Sequence, residues 1–176
     1  LWQGLADGVI DAVATDHCPF HWHGGKDRGW VDGVEEDFTR VPGGLPGVET
    51  RLPLVYAGGV AAGWFDLARF VDCVSTAPAR LAGLYPRKGC IAPDSDADLV
   101  IFDPDAGTRL DADALHSQVD HSPYEGLRVQ GRIVGVMKGG VLAVVEGQLV
   151  EEPPPGRLLH RGLVDEAPPQ GEDRHG

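Results

Sequence analysis

Val9-Ile10-Asp11-Ala12-Val13-Ala14-Thr15 runs directly into Asp16-His17-Cys18-Pro19, and this passage decides the fold. The first part is short, mostly apolar and non-alternating, the pattern of a strand buried on both faces in a parallel sheet. The polar, titratable group that follows lies at the C-terminal end of that strand. Barrels and open sheets of the α/β class place their chemistry at such ends. An α/β fold is therefore expected, with Asp16 at its working edge. Residues 1–8 read as the end of a helix closed by Gly8, since glycine tolerates the left-handed conformation found there.

Outward from this strand, residues 20–47 form a long, glycine-rich loop. Its interleaved Trp22, Trp30 and Phe38 favour an ordered loop, because aromatic residues are depleted in disordered tracts. From Val48 to Ala62 the apolar residues Val48, Leu52, Val55, Tyr56 and Val60 recur at helical spacing. Asp66 reads as the cap of a second helix carrying Leu67, Phe70, Val71 and Val74. Thr76-Ala77-Pro78 reads as the start of a third, with proline in a first turn where its missing N–H costs nothing. The period then changes. Leu99–Phe102 is a short apolar strand fenced by Asp103-Pro104, and Arg132–Met137 and Val141–Val145 are strands joined through Lys138-Gly139-Gly140, a hairpin signal. Gln148-Leu149-Val150 extends that meander. Residues 151–176, with Pro153-Pro154-Pro155 and Pro168-Pro169, read as an extended tail. The expected division is 1–87, 88–150 and 151–176.

One buried parallel strand makes no sheet alone, and a whole barrel takes about 250 residues. The chain has 176 and starts on Leu1 in mid-pattern, so a fragment is expected. Its 15 Lys and Arg against 27 Asp and Glu give a formal charge of −12. That balance argues against nucleic acid and against an anionic membrane surface as partners, since both need clustered basic residues. Hydrophobic residues make up 42%, enough for a packed core rather than wholesale disorder. No apolar run approaches the roughly 20 residues that span a bilayer. Cys18, Cys73 and Cys90 are an odd and sparse set, as in reduced cytoplasmic proteins.

Asp11–Phe20 resembles the eighth-strand segment of the dihydropyrimidinase and D-hydantoinase family of cyclic amidohydrolases. The likeness continues through Asp37–Leu54, Ser75–Arg80, Gly83–Gly89, Ser95–Ile101, Val119–Gly126 and Gly156–Arg161, in collinear order. Asp37–Leu54 and Tyr85–Gly89 are its most specific parts, whereas Ser95–Asp103 is shared by many amidohydrolases. The resemblance implies the C-terminal part of a (β/α)8 barrel, its last strand and helices, plus the C-terminal share of a small β-sandwich domain. It implies a hydrolase that opens the ring amide of dihydropyrimidines or 5-substituted hydantoins to N-carbamoyl amino acids, in a cytoplasmic homotetramer. It also implies two divalent metal ions, Zn2+ being the expected metal, with the remaining ligands upstream of this chain. For the isolated chain no activity is expected. Alternatives are a non-enzymatic assembly protein like the collapsin-response-mediator proteins, an inert gene remnant, and, among enzymes, allantoinase or dihydroorotase. The mediator proteins lack the metal ligands, so Asp16 argues against that alternative, and Asp37–Leu54 favours dihydropyrimidinase over both other enzymes.

Asp16 is the candidate catalytic residue and metal ligand: the family gives its position a metal and the proton taken from the attacking water and passed to the ring nitrogen. Gly43, in Pro42-Gly43-Gly44-Leu45, is the candidate substrate-binding residue through its main chain, at a position where the family typically has Asn. His17 is expected to point away from Asp16, because successive side chains on a strand alternate, and to support or pack rather than ligate. His21-Trp22-His23 has a spacing that amidohydrolases use for ligands on their first strand; in this loop, solvated histidines are expected. Cys18 is expected to be a small buried residue. Asp94, Asp96 and Asp98 lack the glycine and final glutamate of a calcium loop and read as a solvated edge.

Overall fold

The computed structural model describes residues 1–31, 34–35 and 37–162, with 31, 34 and 35 by their main chain alone. The expected tail beyond Gly162, including Pro168-Pro169, lies outside the described residues. Helix α1 (Trp2–Ala6) ends at Asp7, and Gly8 follows at a φ of +73°, as its position after a helix end requires. The loop that follows is built from a 3-10 turn (Lys26–Gly29), a two-residue hairpin of β1 (Trp30–Val31) and β2 (Val34–Glu35), and a second 3-10 turn (Phe38–Arg40). Trp22 and Trp30 meet edge to face at 6.1 Å, so aromatic contact orders the loop.

The chain then turns helical. Helix α2 (Arg51–Val55) continues into a π turn (Tyr56–Ala61). Helix α3 (Leu67–Val71) starts on Asp66, whose carboxylate accepts the N–H of Arg69 at 2.8 Å, the expected cap. Thr76-Ala77-Pro78 does not start a separate helix. A π turn (Asp72–Thr76) joins α3 to α4 (Ala77–Leu81) without a break, and the Ala77 N–H reaches back to the carbonyl of Asp72. The wider turn accommodates Pro78, which has no N–H to give the ladder.

Strands β3 (Leu99–Arg109), β4 (Arg128–Lys138), β5 (Val141–Val145) and β6 (Gln148–Leu149) form an antiparallel sheet in the order β3-β4-β5-β6. Gly139 and Gly140 both have positive φ, +57° and +86°, which closes the β4–β5 hairpin as its sequence predicts. Asp103-Pro104 does not end β3. The Asp103 carboxylate accepts the N–H groups of Asp105 (2.9 Å) and Ala106 (3.2 Å), making a bulge between Asp103 and Gly107 after which pairing resumes. β3 is an edge strand, where a proline takes no donor from the ladder.

The core gathers Leu5, Val55, Tyr56, Phe70, Cys73 and Val74. Phe102 of β3 joins it: its ring lies 4.8 Å from Tyr56 and 6.1 Å from Phe70. The sheet is thus seated on the helices by an aromatic triad. Burial pushes the Cys73 thiol up from its ordinary value. Asp94 stands in a turn, but Asp96 and Asp98 are not merely solvated. Asp96 pairs with Arg87 at 3.0 Å and Lys88 at 3.0 Å, Asp98 pairs with Lys88, and Asp98 also accepts the Gly139 N–H at 2.7 Å. Hydrogen bonds from Lys88 are the main cause that holds both carboxyls below their ordinary range. After β6 the chain returns: Lys138 donates to the Pro154 carbonyl at 2.9 Å, and the Gly162 N–H meets the Gly83 carbonyl at 2.8 Å.

Val9–Thr15 is not a strand here. Among the described residues no strand runs beside it, so its main-chain groups find other partners. Val13 donates its N–H to the Cys73 carbonyl at 3.0 Å. Arg69 Nη2 donates to the Ile10 carbonyl at 2.7 Å, and Arg51 Nη1 to that of Val13 at 2.9 Å. Beside the segment lies an open, mainly apolar groove of about 640 Å³, lined by Leu1, Leu5, Ile10, Val13, Leu54 and Tyr124 among others. Among the described residues no helix is long and apolar enough to cross a membrane.

Candidate functional site

The segment from Val9 ends in an abrupt turn. Asp16 has a φ of +44° and is exposed. Aspartate is one of the few side chains that enter this left-handed region with any frequency. The turn breaks the strand alternation from which His17 is expected to point away. His17 instead crosses to the neighbouring loop, where its Nδ1 accepts the N–H of Gly47 at 3.0 Å and that of Val48 at 3.2 Å. Cys18 follows with its own N–H donated to the Leu45 carbonyl at 3.2 Å, and His17 and Leu45 form a parallel bridge.

Gly44 makes this approach possible. Its φ is +125°, and a Cβ there would stand 2.5 Å from the Cys18 carbonyl oxygen. Gly43, the candidate substrate contact, is exposed, and a Cβ there would meet nothing within 4 Å. Residues 17–18 are thus laced to residues 45–48, which brings the turn at Asp16 and the Gly43-Gly44 turn into one tied unit. Cys18 is exposed rather than buried; it lies past the turn at Asp16 and outside the packed segment.

The loop histidines do not join Asp16. The main-chain N–H groups of Trp22 and His23 are bound by the carboxylate of Asp120, at 2.5 and 3.2 Å. Those bonds, with the Trp22 N–H the largest cause, pull the Asp120 carboxyl down to about 2. His21 Nδ1 stands 3.7 Å from Asp120, and His23 Nδ1 stands 3.7 Å from Asp27. Beside them His121 packs edge to face on Trp22 at 5.8 Å. Glu49 binds His116 twice, through its main-chain N–H at 2.8 Å and its ring at 2.7 Å, and that ring bond raises the His116 pKa. A cleft of about 570 Å³ opens here, lined by His17, Phe20, His21, Glu49 and His116 among others.

Asp120, Glu49 and His116 were not singled out by sequence. Asp120 and Glu49 do stand in the Val119–Gly126 and Asp37–Leu54 stretches that carry the family likeness, which was a usable signal. Among the described residues no group of three or more His, Cys, Asp or Glu is placed to hold a metal. Asp16 stands at a chain turn outside any such group, and one carboxylate cannot make a metal centre by itself.

Comparison with known proteins places this geometry. The model of the amidohydrolase family matches residues 1–143. The D-hydantoinase of Ralstonia pickettii is 44% identical over 161 residues, which are 92% of this chain and 34% of that protein. A solved D-hydantoinase structure superimposes with a TM-score of 0.83 at 43% identity, over 91% of this chain and 34% of its own. The D-hydantoinase (dihydropyrimidinase) of a Thermus species does so at 0.79 and 44%, over 86% and 32%. The chain thus spans about a third of the length of the relatives it matches. Its fold is α/β with a small antiparallel sheet, consistent with a fragment of the (β/α)8 barrel proteins it matches. By the match over most of its length, the chain belongs to the amidohydrolase family.

Proposed function

We propose that this chain is the C-terminal third of a hydantoinase- or dihydropyrimidinase-type hydrolase, which opens a cyclic amide or ureide to an N-carbamoyl amino acid. Amidohydrolases are in general metal-dependent. The finer reading is a pair of divalent ions, Zn2+ by preference, with Asp16 as one ligand and the other ligands on residues outside this chain. Bound divalent ions would supply a water acidic enough to attack a ring carbonyl near neutral pH.

What this chain does in that reaction is carried by Asp16. The attack adds the water oxygen to the carbonyl carbon and then breaks the ring C–N bond. A proton must leave the water and arrive on the departing nitrogen. A carboxylate oxygen within about 3 Å of both positions makes both transfers. Gly43 would offer its main-chain N–H and C=O to the ring amide, where glycine in place of asparagine keeps the main chain but costs more entropy to order. The observation that supports this reading best is the placement of Asp16 on a turn tied to the Gly43 segment, within a chain so similar to hydantoinases.

We further propose the division 1–87 for the barrel part, 88–150 for the sheet domain and 151–176 for the tail. The whole protein is proposed to be a cytoplasmic homotetramer with a small cyclic substrate and no nucleic acid or membrane partner. The test is an assay of the whole protein, loaded with zinc, on dihydrouracil, a 5-monosubstituted hydantoin, allantoin and dihydroorotate. Ring opening of the first two with release of the N-carbamoyl amino acid is expected. Turnover confined to allantoin or dihydroorotate would overturn the substrate class, and turnover of none would overturn the enzymatic reading.

A further inference from the structure

Asp16 follows a segment that has no strand beside it among the described residues, and a left-handed turn at residue 16 leaves its backbone in a sparsely populated conformation. A reacting carboxylate displaced by about 1 Å loses on the order of 100-fold in rate. Something must therefore hold this turn. The Asp16 side chain is exposed and its own main chain is not laddered, so the restraint comes from its neighbour.

We infer that His17 is a positioning residue, whose ring ties the Asp16 turn to the Leu45–Val48 segment as the tautomer protonated on Nε2. The inference rests on the proposed role of Asp16. Two main-chain N–H groups, those of Gly47 and Val48, converge on Nδ1 at 3.0 and 3.2 Å. A ring nitrogen that receives N–H groups presents its lone pair, so the proton of the neutral ring sits on Nε2. The tie is two-sided. On the main chain, Cys18 donates to Leu45 at 3.2 Å. On the side chain, His17 accepts from Gly47 and Val48, just ahead of the helix that starts after Thr50. Gly44 lies flush against Cys18 between these bonds. The two bonds at Nδ1 also satisfy the N–H groups of residues 47 and 48, which lie just ahead of that helix.

The arrangement gives His17 a task distinct from filling space. Its acceptor atom, one bond from Cγ, sets the distance between the turn that carries Asp16 and the turn that carries Gly43. An asparagine Oδ1 occupies nearly the same position and keeps the acceptor. A glutamine carries its oxygen one bond farther out.

The experiment compares His17→Asn and His17→Gln in the whole protein, with Asp16→Asn beside them. kcat and KM are measured on a 5-monosubstituted hydantoin, and amide hydrogen exchange is followed across residues 44–50. His17→Asn is expected to keep residues 47 and 48 protected and kcat within about tenfold of the parent. His17→Gln is expected to deprotect them and lose roughly 100-fold in kcat, with the folded fraction retained. Equal kcat in the two variants, or unchanged exchange of residues 47 and 48 in His17→Gln, would overturn the positioning role. Parental turnover in Asp16→Asn would instead overturn the proposed role of Asp16, so the two failures are told apart.

Discussion

The carboxylate of Asp120 accepts the main-chain N–H of Trp22 at 2.5 Å, across 98 residues of chain. Asp120 belongs to the connection between β3 and β4, and Trp22 to the loop that follows the Asp16 turn. The small sheet thus reaches back to the candidate site and holds the His21-Trp22-His23 stretch by its backbone. This explains why the paired histidines do not gather round Asp16.

The Asp120 tie has an acid limit. Its carboxyl is pulled from 3.8 to about 2, so the folded state binds its proton more weakly than the unfolded chain does. The stability it lends is complete above 3.8 and is lost as pH falls through about 2. Slow exchange of the Trp22 and His23 amides is expected to persist at about pH 3 and to collapse near 2. Asp120→Asn is expected to lose that protection at neutral pH. Unchanged protection of both amides in the variant would contradict the tie.

His116 carries the opposite sign. Its pKa is raised above 6.5 by the hydrogen bond from its ring to Glu49. Its contribution is complete below 6.5 and disappears as pH rises through the raised value. An NMR titration of the His116 ring is expected to show a midpoint above 6.5, falling toward it in Glu49→Gln. An unmoved midpoint would separate the two residues.

Two adjacent glycines are expected to behave differently. A Cβ on Gly44 would strike the Cys18 carbonyl and hold alanine at a φ of +125°. Gly44→Ala is therefore expected to cost roughly 2–4 kcal/mol. Gly43→Ala meets open space and is expected to change stability by less than about 1 kcal/mol. Denaturant midpoints of the two variants in the whole protein check this, and equal values would contradict the close approach at Cys18.

Arg69 ties three partners: the Leu5 carbonyl at 2.7 Å, the Ile10 carbonyl at 2.7 Å and the Asp72 carboxylate at 2.5 Å. Arg69→Met keeps the stem and strips the part-buried Ile10 carbonyl of its donor, while Leu5 keeps the Gly8 N–H at 3.3 Å, at an expected cost of about 2 kcal/mol. Arg80, exposed and stacked on Tyr85 at 4.7 Å, is the control, and Arg80→Met is expected to cost about 1 kcal/mol or less. A loss at Arg69 no greater than at Arg80 would contradict its role in holding Ile10.

Patterns that act within a few residues were legible. The Asp66 cap, the Gly139-Gly140 turn and the apolar stripe of Leu52, Val55 and Tyr56 all followed from local chemistry, and so did the order of helices before sheet. Other local readings failed, three of them on where a helix or strand lies. Pro78 suggested a helix start, but a π turn carries the helix past it. Pro104 suggested a strand end, but an edge position and the Asp103 bulge let the strand continue. Val9–Thr15 has a strand's composition but no strand beside it among the described residues, and hydrogen bonds from Arg51 and Arg69 take the place of a ladder. Asp16 and Gly43 were singled out through the family likeness, and their roles are proposals. The Asp120 tie, the Glu49–His116 pair and the His17 latch join residues 30 to 98 positions apart, beyond the reach of any local period.

The central claim is that Asp16 moves the proton in ring opening. The most direct measurement is kcat of Asp16→Asn against the parent, in the whole protein, on a 5-monosubstituted hydantoin, with metal content and folded fraction determined on the same samples. A fall of at least about 100-fold in a folded protein is predicted, the range over which a positioned acid–base group contributes. Turnover equal to the parent, with metal content unchanged, would contradict it.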